Sequence, residues 1–435
     1  MKQWRRVRVG LMAVTIWSLS QTLCLSQSEL PAAPSIEDLN LRGADAFMPP
    51  FDDSVIDSAS MFRRGMADHG LAIRTIAGEQ YTQNTLASPV APSAQVYVGQ
   101  RPYEVTTLQT LLTSDLRQLH LHKAQFNASG VWAWSSWNQA SPRTIQMSSA
   151  GLYKEFGEDR VEIKAGYNAN DLEFLGMQVG GSTATAAQGV YAVLPFEVGL
   201  AYYPLVAPTI SLRLRGPKGT YLKTAAQRSI DPAGGLTEVA RNHTGFRFIP
   251  HGDRLLSINE FGFRRDASST VPSLWFRAGY MHNSSKYLNL VNGQKQSGNY
   301  TAYVLMDYQL RKTGSQNPGH GLYIGGTAMT APSQFNPYDR YYEARLYQEA
   351  PFRSRPDDVV SIIASHTGYS SDVTAALVAQ GQSVWRSSTT ITSTYSLHAA
   401  RGNYLGVGLS FINGPAITPR VPNALNLGIS LTTFF

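Results

Sequence analysis

The end of the chain alternates between apolar and polar side chains. Leu425, Leu427, Ile429, Leu431, Thr433 and Phe435 fall on one face of an extended segment, and Asn426, Gly428, Ser430 and Thr432 fall on the other. A strict period of two predicts a β-strand whose two faces meet different solvents. A closing strand that ends on an aromatic residue is typical of an outer-membrane β-barrel, in which the apolar face contacts lipid and the polar face lines a watery lumen.

The same alternation recurs along the rest of the chain. It predicts strands over residues 159–167, 208–215, 274–280, 302–311, 341–347 and 404–412. Clusters of Gly, Pro, Asn and Ser separate these runs, and roughly sixteen to nineteen such segments follow Gly70. The chain shows no repeat of fixed period, which argues against a propeller or a solenoid.

A soluble antiparallel sandwich would also show alternation. Here the apolar face carries Tyr, Phe and Leu right up to the turns, as in membrane barrels that place aromatic residues at both interfaces. On the same ground Trp132 and Trp134, which share a strand face, are interpreted as part of an interfacial belt rather than as a platform for sugars. The predicted fold class is all-β, a transmembrane antiparallel β-barrel of about 16 strands.

The amino terminus has the features of an export signal. Residues 1–9 carry four positive charges and no acid, and residues 10–25 are largely apolar but too short and interrupted to span a membrane. We predict a signal peptide over residues 1–26, an irregular periplasmic lead-in or partial plug over residues 27–69, and a barrel over residues 70–435. The predicted location is the outer membrane of a Gram-negative cell.

Composition excludes other classes of protein. The 37 Lys and Arg fall to 33 once the predicted signal peptide is removed, against 30 Asp and Glu, so the charge gives no reason to expect nucleic acid as a partner. The single cysteine, Cys24, belongs to that peptide, so the mature chain is predicted to form no disulfide. After the signal, the sequence contains no run of about twenty apolar residues, which argues against a helical membrane protein.

Polar side chains on the inward faces are the candidates for contact with a solute. They are Arg213, Arg215, Trp275, Arg277, Asp307, Gln309, Arg311, Glu343 and Arg345. Each could instead be a lumen charge that pairs across strands and never touches a solute. Arg213 and Arg277 are predicted to form a constriction because both are placed in the middle of their strands.

Several segments resemble the carbohydrate-selective porin family (OprB-type). They are Gly298–Tyr300, Tyr303–Gln309, Gly319–Tyr323, Arg355–Val359 and Pro422–Gly428, with similar pieces upstream at Thr113–Leu119 and Arg277–His282. The resemblance covers most of the mature chain. It implies a monomeric sixteen-stranded barrel through which monosaccharides such as glucose diffuse passively.

The expected partners follow from that resemblance and from the predicted location. They are sugars, outer-membrane lipid and lipopolysaccharide, and the barrel-assembly machinery. A sugar offers hydroxyl groups that planar charged groups bind bidentately and a weakly apolar face on which aromatic rings stack. The binding must be weak enough to release the sugar, so a few such side chains suffice.

Two alternative functions remain open at this point. One is a non-selective general diffusion porin or an adhesin-like barrel, which would need no sugar site. The other is an outer-membrane barrel enzyme such as a lipase, but Ser365 and His366 are adjacent in sequence and cannot form a catalytic pair as in a triad. We therefore predict that the protein is not an enzyme.

Two further groupings do not predict a chemical site. His120 and His122 share a strand face but have no third ligand nearby, so neither a metal site nor a cofactor is predicted. Asp357 and Asp358 are adjacent carboxylates that point to opposite sides of any strand, and we predict that they tie a loop.

Overall fold

The computed structural model describes residues 35–45, 48–86, 88–175, 193–249, 254–313 and 317–435. The predicted signal peptide and the first part of the predicted lead-in lie outside these residues. Among the helices described, none is long and apolar enough to cross a membrane.

Sixteen of the eighteen strands in the described residues close into an antiparallel barrel. They are β1 (Leu71–Asn84), β2 (Tyr103–Asp115), β3 (Ala124–Ser135), β4 (Thr144–Phe156), β5 (Val161–Asn168), β6 (Ala207–Arg215), β7 (Thr220–Arg228), β8 (Leu255–Arg265), β9 (Leu274–Asn283), β12 (Asn299–Lys312), β13 (Gly321–Thr330), β14 (Tyr338–Glu349), β15 (Val359–Tyr369), β16 (Ser387–Ala400), β17 (Asn403–Asn413) and β18 (Ala424–Phe434). Two short strands, β10 (Tyr287–Leu288) and β11 (Lys295–Gln296), form a separate hairpin. The predicted fold class is confirmed.

Short helices occur before the barrel and in its loops. They are α1 (Met61–Asp68), α2 (Asp171–Phe174), α3 (Val193–Glu197), α4 (Gly235–Arg241) and α5 (Ser371–Ala379). Helix α1 begins after Ser60, whose hydroxyl accepts a hydrogen bond from the backbone N–H of Arg63 and so caps a free helix donor.

Alternation explains why these segments are strands with two unlike faces. On β18, Ile429 and Leu431 remain exposed on the outside, whereas Asn426 is buried on the inside. On β5, Glu162 lies inside and its neighbours Val161 and Ile163 lie outside. A one-residue slip would send every side chain to the wrong solvent, so the period fixes the register.

The barrel closes where its last strand pairs with its first. Tyr81 lies opposite Ile429, and the two strands run antiparallel. The backbone of Phe435 extends this pairing: its N–H donates to the carbonyl of Thr75 at 2.8 Å, and the N–H of Thr75 donates back at 3.3 Å. The carbonyl of Phe434 accepts a hydrogen bond from the N–H of Val55 at 2.8 Å.

Deleting Phe434 and Phe435 is expected to lower the amount of assembled barrel in the outer membrane severalfold. The deletion removes these closing hydrogen bonds and the aromatic end at the membrane boundary. The measurement is the heat-modifiable band in outer-membrane fractions. Ser430→Ala, which alters a lumen-facing side chain in the same strand, should leave the band unchanged. Equal levels in the deletion would show that assembly does not depend on this terminus.

The two ends of the barrel differ in the length of their connections. Where β1 begins and β18 ends, the turns are short, as at residues 157–160 and 401–402. The opposite end carries long loops, as at residues 169–206 and 229–254. In outer-membrane barrels the short turns face the periplasm and the long loops face outward. We call the end at which β1 begins and β18 ends the short-turn end.

The predictions for Arg311 and Arg213 need correction. A register shift between Gln309 and Arg311 places Arg311 opposite Leu322, on the outer face rather than with Asp307. The shift adds a residue to β12 and so reverses the alternation that predicted an inward Arg311. Arg213 faces the lumen, but it lies two residues from the end of β6 rather than in its middle.

Candidate functional site

The inner face of the barrel is divided into a charged part and a hydroxyl-rich part. Charged side chains occupy inward positions on β5 to β9, β12 and β14. From β15 to β18 most inward positions are Ser, Thr or Gly, and their hydroxyls bond to each other across strands: Thr392 Oγ1 and Ser410 Oγ are 2.9 Å apart. The lumen therefore offers fixed charges on one side and neutral donors and acceptors on the other.

The first charged group, here called the Asp307 cluster, consists of Arg277, Asp307, Glu343 and Arg345. Arg345 binds Asp307 bidentately, with Nε to Oδ1 at 2.8 Å and Nη2 to Oδ2 at 2.9 Å, and its Nη1 lies 2.7 Å from Glu343 Oε1. Arg277 Nη2 is 3.2 Å from Asp307 Oδ2. The guanidinium of Arg277 also lies over the ring of Trp275 at 3.5 Å. Both arginine side chains are 0% exposed.

The second charged group, here called the Asp45 cluster, consists of Glu162 on β5, Arg213 on β6, Lys223 on β7, Glu260 on β8 and Asp45, which precedes the barrel. Arg213 Nη2 is 2.8 Å from Asp45 Oδ2, and Lys223 bonds the same oxygen. On the barrel wall, Lys223 Nζ is 3.3 Å from Glu260 Oε1, and Arg213 Nη1 is 3.5 Å from Glu162 Oε2. Each of these charges has an opposite charge beside it, which the burial of charged groups away from water requires.

Asp45 belongs to a segment that precedes the barrel and runs inside its short-turn end. We call residues 35–45 and 48–60 the strap. On one side, the carboxylate of Asp53 accepts hydrogen bonds from the N–H of Gly402 at 2.7 Å and from His398 Nε2 at 2.9 Å. Beside it, the guanidinium of Arg74 lies over the ring of Phe51 at 4.1 Å.

The strap continues across the strands that follow. Thr113 donates a hydrogen bond to the carbonyl of Leu39 at 2.6 Å, and Gln125 Nε2 donates to the carbonyl of Asn40 at 2.9 Å. Lys164 Nζ donates to the carbonyl of Gly43 at 3.0 Å. The strap thus touches the wall from β16 through β1 to β7 and narrows the short-turn end.

A long loop enters the lumen from the other end. We call residues 169–206 the inner loop, of which 169–175 and 193–206 are described. Its buried Phe174, Leu175, Leu194, Val198 and Leu200 pack in one apolar cluster with inward residues of the wall, which are Ala225, Leu256, Ile258, Met281, Tyr303, Leu305, Met329 and Tyr341. The carbonyl of Leu175 accepts a hydrogen bond from Arg277 Nη1 at 2.9 Å, which joins the loop to the Asp307 cluster.

Among the described residues, two cavities open at the short-turn end. The larger, about 500 Å³, is lined by Arg42, Gly43, Ala44, Asp45, Lys123, Tyr153, Glu155, Glu162, Arg213, Arg215 and Arg264. The smaller, about 240 Å³, is lined in part by Trp275, Tyr323, Tyr347 and Glu349. Arg264 lines both cavities, and its side chain and that of Arg215 are each 44% exposed.

Comparison with known families gives one match. A family model described as "Carbohydrate-selective porin, OprB family" matches residues 70–435, which is the whole barrel and most of the chain. The chain belongs to this family. The family and the barrel fold imply an outer-membrane location and indicate a transport channel rather than an enzyme.

Solved structures of this family share the fold of the chain. The high-pH structure of Pseudomonas putida OprB superimposes with a TM-score of 0.73 at 14% identity, covering 88% of this chain and 98% of that one. The low-pH structure of the same protein gives a TM-score of 0.54 at 12% identity with the same coverage. A search of curated proteins finds no match.

In this porin, five of the sequence-predicted site residues come together. Trp275, Arg277, Asp307, Glu343 and Arg345 all belong to or contact the Asp307 cluster. Their mutual contacts bury them, so the two arginines of the cluster offer no exposed side chain to a solute. The prediction that Arg277 contacts sugar stays untested, but its geometry favours a structural role.

The other four predicted site residues lie apart from the Asp307 cluster. Arg213 and Arg215 lie at the large cavity, where Arg215 pairs with Glu162. Gln309 Nε2 donates to the carbonyl of Pro318 at 2.9 Å and thus holds a turn. Arg311 lies on the outer face, as described above.

Several lumen residues were missed by the sequence reading. Lys223 follows the outward Leu222 in β7, and Glu260 precedes the outward Phe261 in β8, so the period of two could have found them. Arg264 follows the same phase as Glu260. Asp45 carries no local signal, because nothing in the surrounding residues indicates contact with strands far along the chain.

The remaining sequence interpretations concern the turns and the outer face. The prediction that the adjacent carboxylates tie a loop is confirmed for Asp358, which binds Arg355 Nε at 2.5 Å and the N–H of His398 at 2.9 Å. His120 and His122 lie in the turn between β2 and β3, so the expectation that they share a strand face was wrong. Trp132 is exposed on the outer face. Within the described residues, no group of three or more His, Cys, Asp or Glu is placed to hold a metal ion.

Proposed function

We propose that this porin passes sugars, monosaccharides such as glucose among them, across the outer membrane by passive diffusion, and that they contact Arg215 and Arg264 at the short-turn end. The observation that carries the proposal is the split in exposure among the inward arginines. The side chains of Arg215 and Arg264 are 44% exposed, whereas those of Arg277 and Arg345 are 0% and that of Arg213 is 11% exposed. A permeating sugar can only bind groups that it can reach.

The chemistry of these two residues fits a sugar. A guanidinium is planar and can donate two parallel hydrogen bonds to neighbouring hydroxyls of a pyranose, which the point charge of a lysine cannot match in geometry. Arg264 is held in place because its guanidinium lies over the ring of Trp275 at 4.9 Å and its Nε is 3.1 Å from Asp266 Oδ1. Holding the donor in one orientation lowers the entropy lost on binding.

The hydroxyl-rich part of the lumen supports the same function. Partly exposed inward hydroxyls such as those of Ser396 and Ser430 both donate and accept, so they can exchange hydrogen bonds with a neutral polyol as it moves. A net hydrogen bond is worth about 1 kcal/mol, which gives weak binding and fast release.

Arg215→Ala and Arg264→Ala are each expected to weaken the block of ion conductance by glucose. Loss of about 1 kcal/mol corresponds to a block constant about fivefold higher. The double variant should lose most of the block, and each single variant should conduct more because the cavity becomes wider. The measurement is single-channel conductance in a planar bilayer, titrated with glucose.

Arg340→Ala is the matched control, since Arg340 is equally exposed but lies on the outer face of β14. It should keep the glucose block of the unmodified protein. Unchanged block in the Arg215 and Arg264 double variant would count against the proposal. It would instead favour a non-selective general diffusion porin.

A further inference from the structure

The strap places a carboxylate between two cations of the barrel wall. Asp45 Oδ2 is 2.8 Å from Arg213 Nη2 and also bonds the ammonium of Lys223. Arg213 lies on β6 and Lys223 lies on β7, and Asp45 is 168 positions before Arg213 in the chain. The carboxylate therefore comes from outside the barrel and joins two adjacent strands.

The wall by itself has more positive than negative charge at this place. Three neighbouring cations of the wall are Arg213, Arg215 and Lys223, and the wall acids that contact them are Glu162 and Glu260. Glu162 is shared between Arg213 and Arg215, and Glu260 lies beside Lys223. Asp45 supplies the third negative charge, so this group of six side chains becomes balanced only when the strap is seated.

We propose that Asp45 is a specificity-determining residue of the channel: it offsets one positive charge of the Arg213 and Lys223 pair, and so lowers the preference of the cavity for anions over neutral sugars. The part of this statement that concerns sugars rests on the function proposed above. The part that concerns ions does not, because it requires only that the barrel conducts.

The carboxylate of Asp45 is charged under ordinary conditions. Its burial alone would raise its pKa, but Lys223 and Arg213 outweigh that effect and hold the pKa well below its usual range. In a narrow, partly desolvated cavity, one uncompensated charge changes the local concentration of ions more than it would in open water.

Asp45→Asn tests charge separately from size, since the amide has almost the same shape. In a tenfold gradient of potassium chloride, the reversal potential should move toward the chloride equilibrium potential. The ratio of chloride to potassium permeability should rise on the order of fivefold, the factor that one unit charge gives at roughly 4 Å in water-like surroundings. Glucuronate should gain permeability relative to glucose.

Two further variants restore or reverse the charge. Asp45→Asn combined with Arg213→Gln returns the cavity to its original net charge, and Glu162 keeps Arg215 as its partner. The permeability ratio should return to that of the unmodified protein. Arg213→Gln alone should shift the permeability ratio toward potassium. This variant tests the charge balance even if Asp45→Asn does not assemble.

Asp57→Asn is the matched control. Asp57 lies on the same strap but is 60% exposed and pairs with Arg401 at 3.4 Å, away from the cavity. A permeability ratio unchanged by Asp45→Asn, or a shift of equal size in Asp57→Asn, would overturn the proposal. The two proposals can fail separately. If the Arg215 and Arg264 variants keep the glucose block while Asp45→Asn shifts the permeability ratio, the sugar contacts are rejected and the charge-balancing role stands.

Discussion

Asp307→Asn should destabilise the barrel more than any other substitution suggested above. The change leaves Arg277 and Arg345 with fully buried guanidinium groups and without the carboxylate that binds both of them. Removing one partner of a buried ion pair costs about 3–5 kcal/mol, because the opposite charge stays buried with less compensation. The expected result is a large fall in the temperature at which the folded band disappears in heat-modifiability gels, or a failure to assemble.

Asp266→Asn is the control for this experiment. Asp266 also pairs with an arginine, Arg264, but it is 83% exposed, so water replaces the lost interaction. The melting temperature of the Asp266→Asn variant should stay close to that of the unmodified barrel. Equal stability of the two variants would show that the Asp307 cluster does not hold the wall together. Glu343→Gln should fall between them, since Arg345 would keep Asp307.

Leu194→Asp is expected to raise single-channel conductance severalfold. Leu194 is completely buried in the apolar cluster between the inner loop and the wall. A carboxylate there would lie in an apolar environment without a partner, which costs several kcal/mol, so the described part of the loop should leave the wall. With the loop out of the lumen, ions meet a wider path. The measurement is conductance in a planar bilayer with potassium chloride.

Leu236→Asp provides the matched control in another long loop. Leu236 lies in α4 and is 38% exposed, so its replacement by a carboxylate should leave conductance unchanged. If Leu194→Asp conducts like the unmodified channel while remaining folded, the inner loop is not the main obstruction. The narrowest point would then lie at the strap, and deletion within residues 35–45 would be the variant to record.

The barrel itself was predictable from local pattern. In β5, β9 and β18 the alternation assigned each residue to the lipid or the lumen, because a strand between two solvents shows its orientation in its own sequence. The closing strand and the candidate charges Asp307 and Arg345 followed from the same period. The register shift that turns Arg311 outward lay beyond this reasoning, since a bulge changes the phase without a clear local signal.

Apolar residues that face inward were also beyond the pattern. Leu305 and Met281 occupy lumen positions and look misplaced in a pore when each strand is read alone. The structure gives the reason: the inner loop brings its own apolar side chains into the lumen and covers them. A segment far away in the chain thus decides whether an inward leucine meets water.

The same distinction applies to the candidate site. Residue type and phase were enough to name lumen arginines, but not to tell the buried Arg277 from the exposed Arg264. Residue type and phase also could not predict that Arg213 pairs with Asp45. The face that a side chain takes depends on the period of its own strand, whereas its partner and its burial depend on which distant segments the closed barrel brings together inside it.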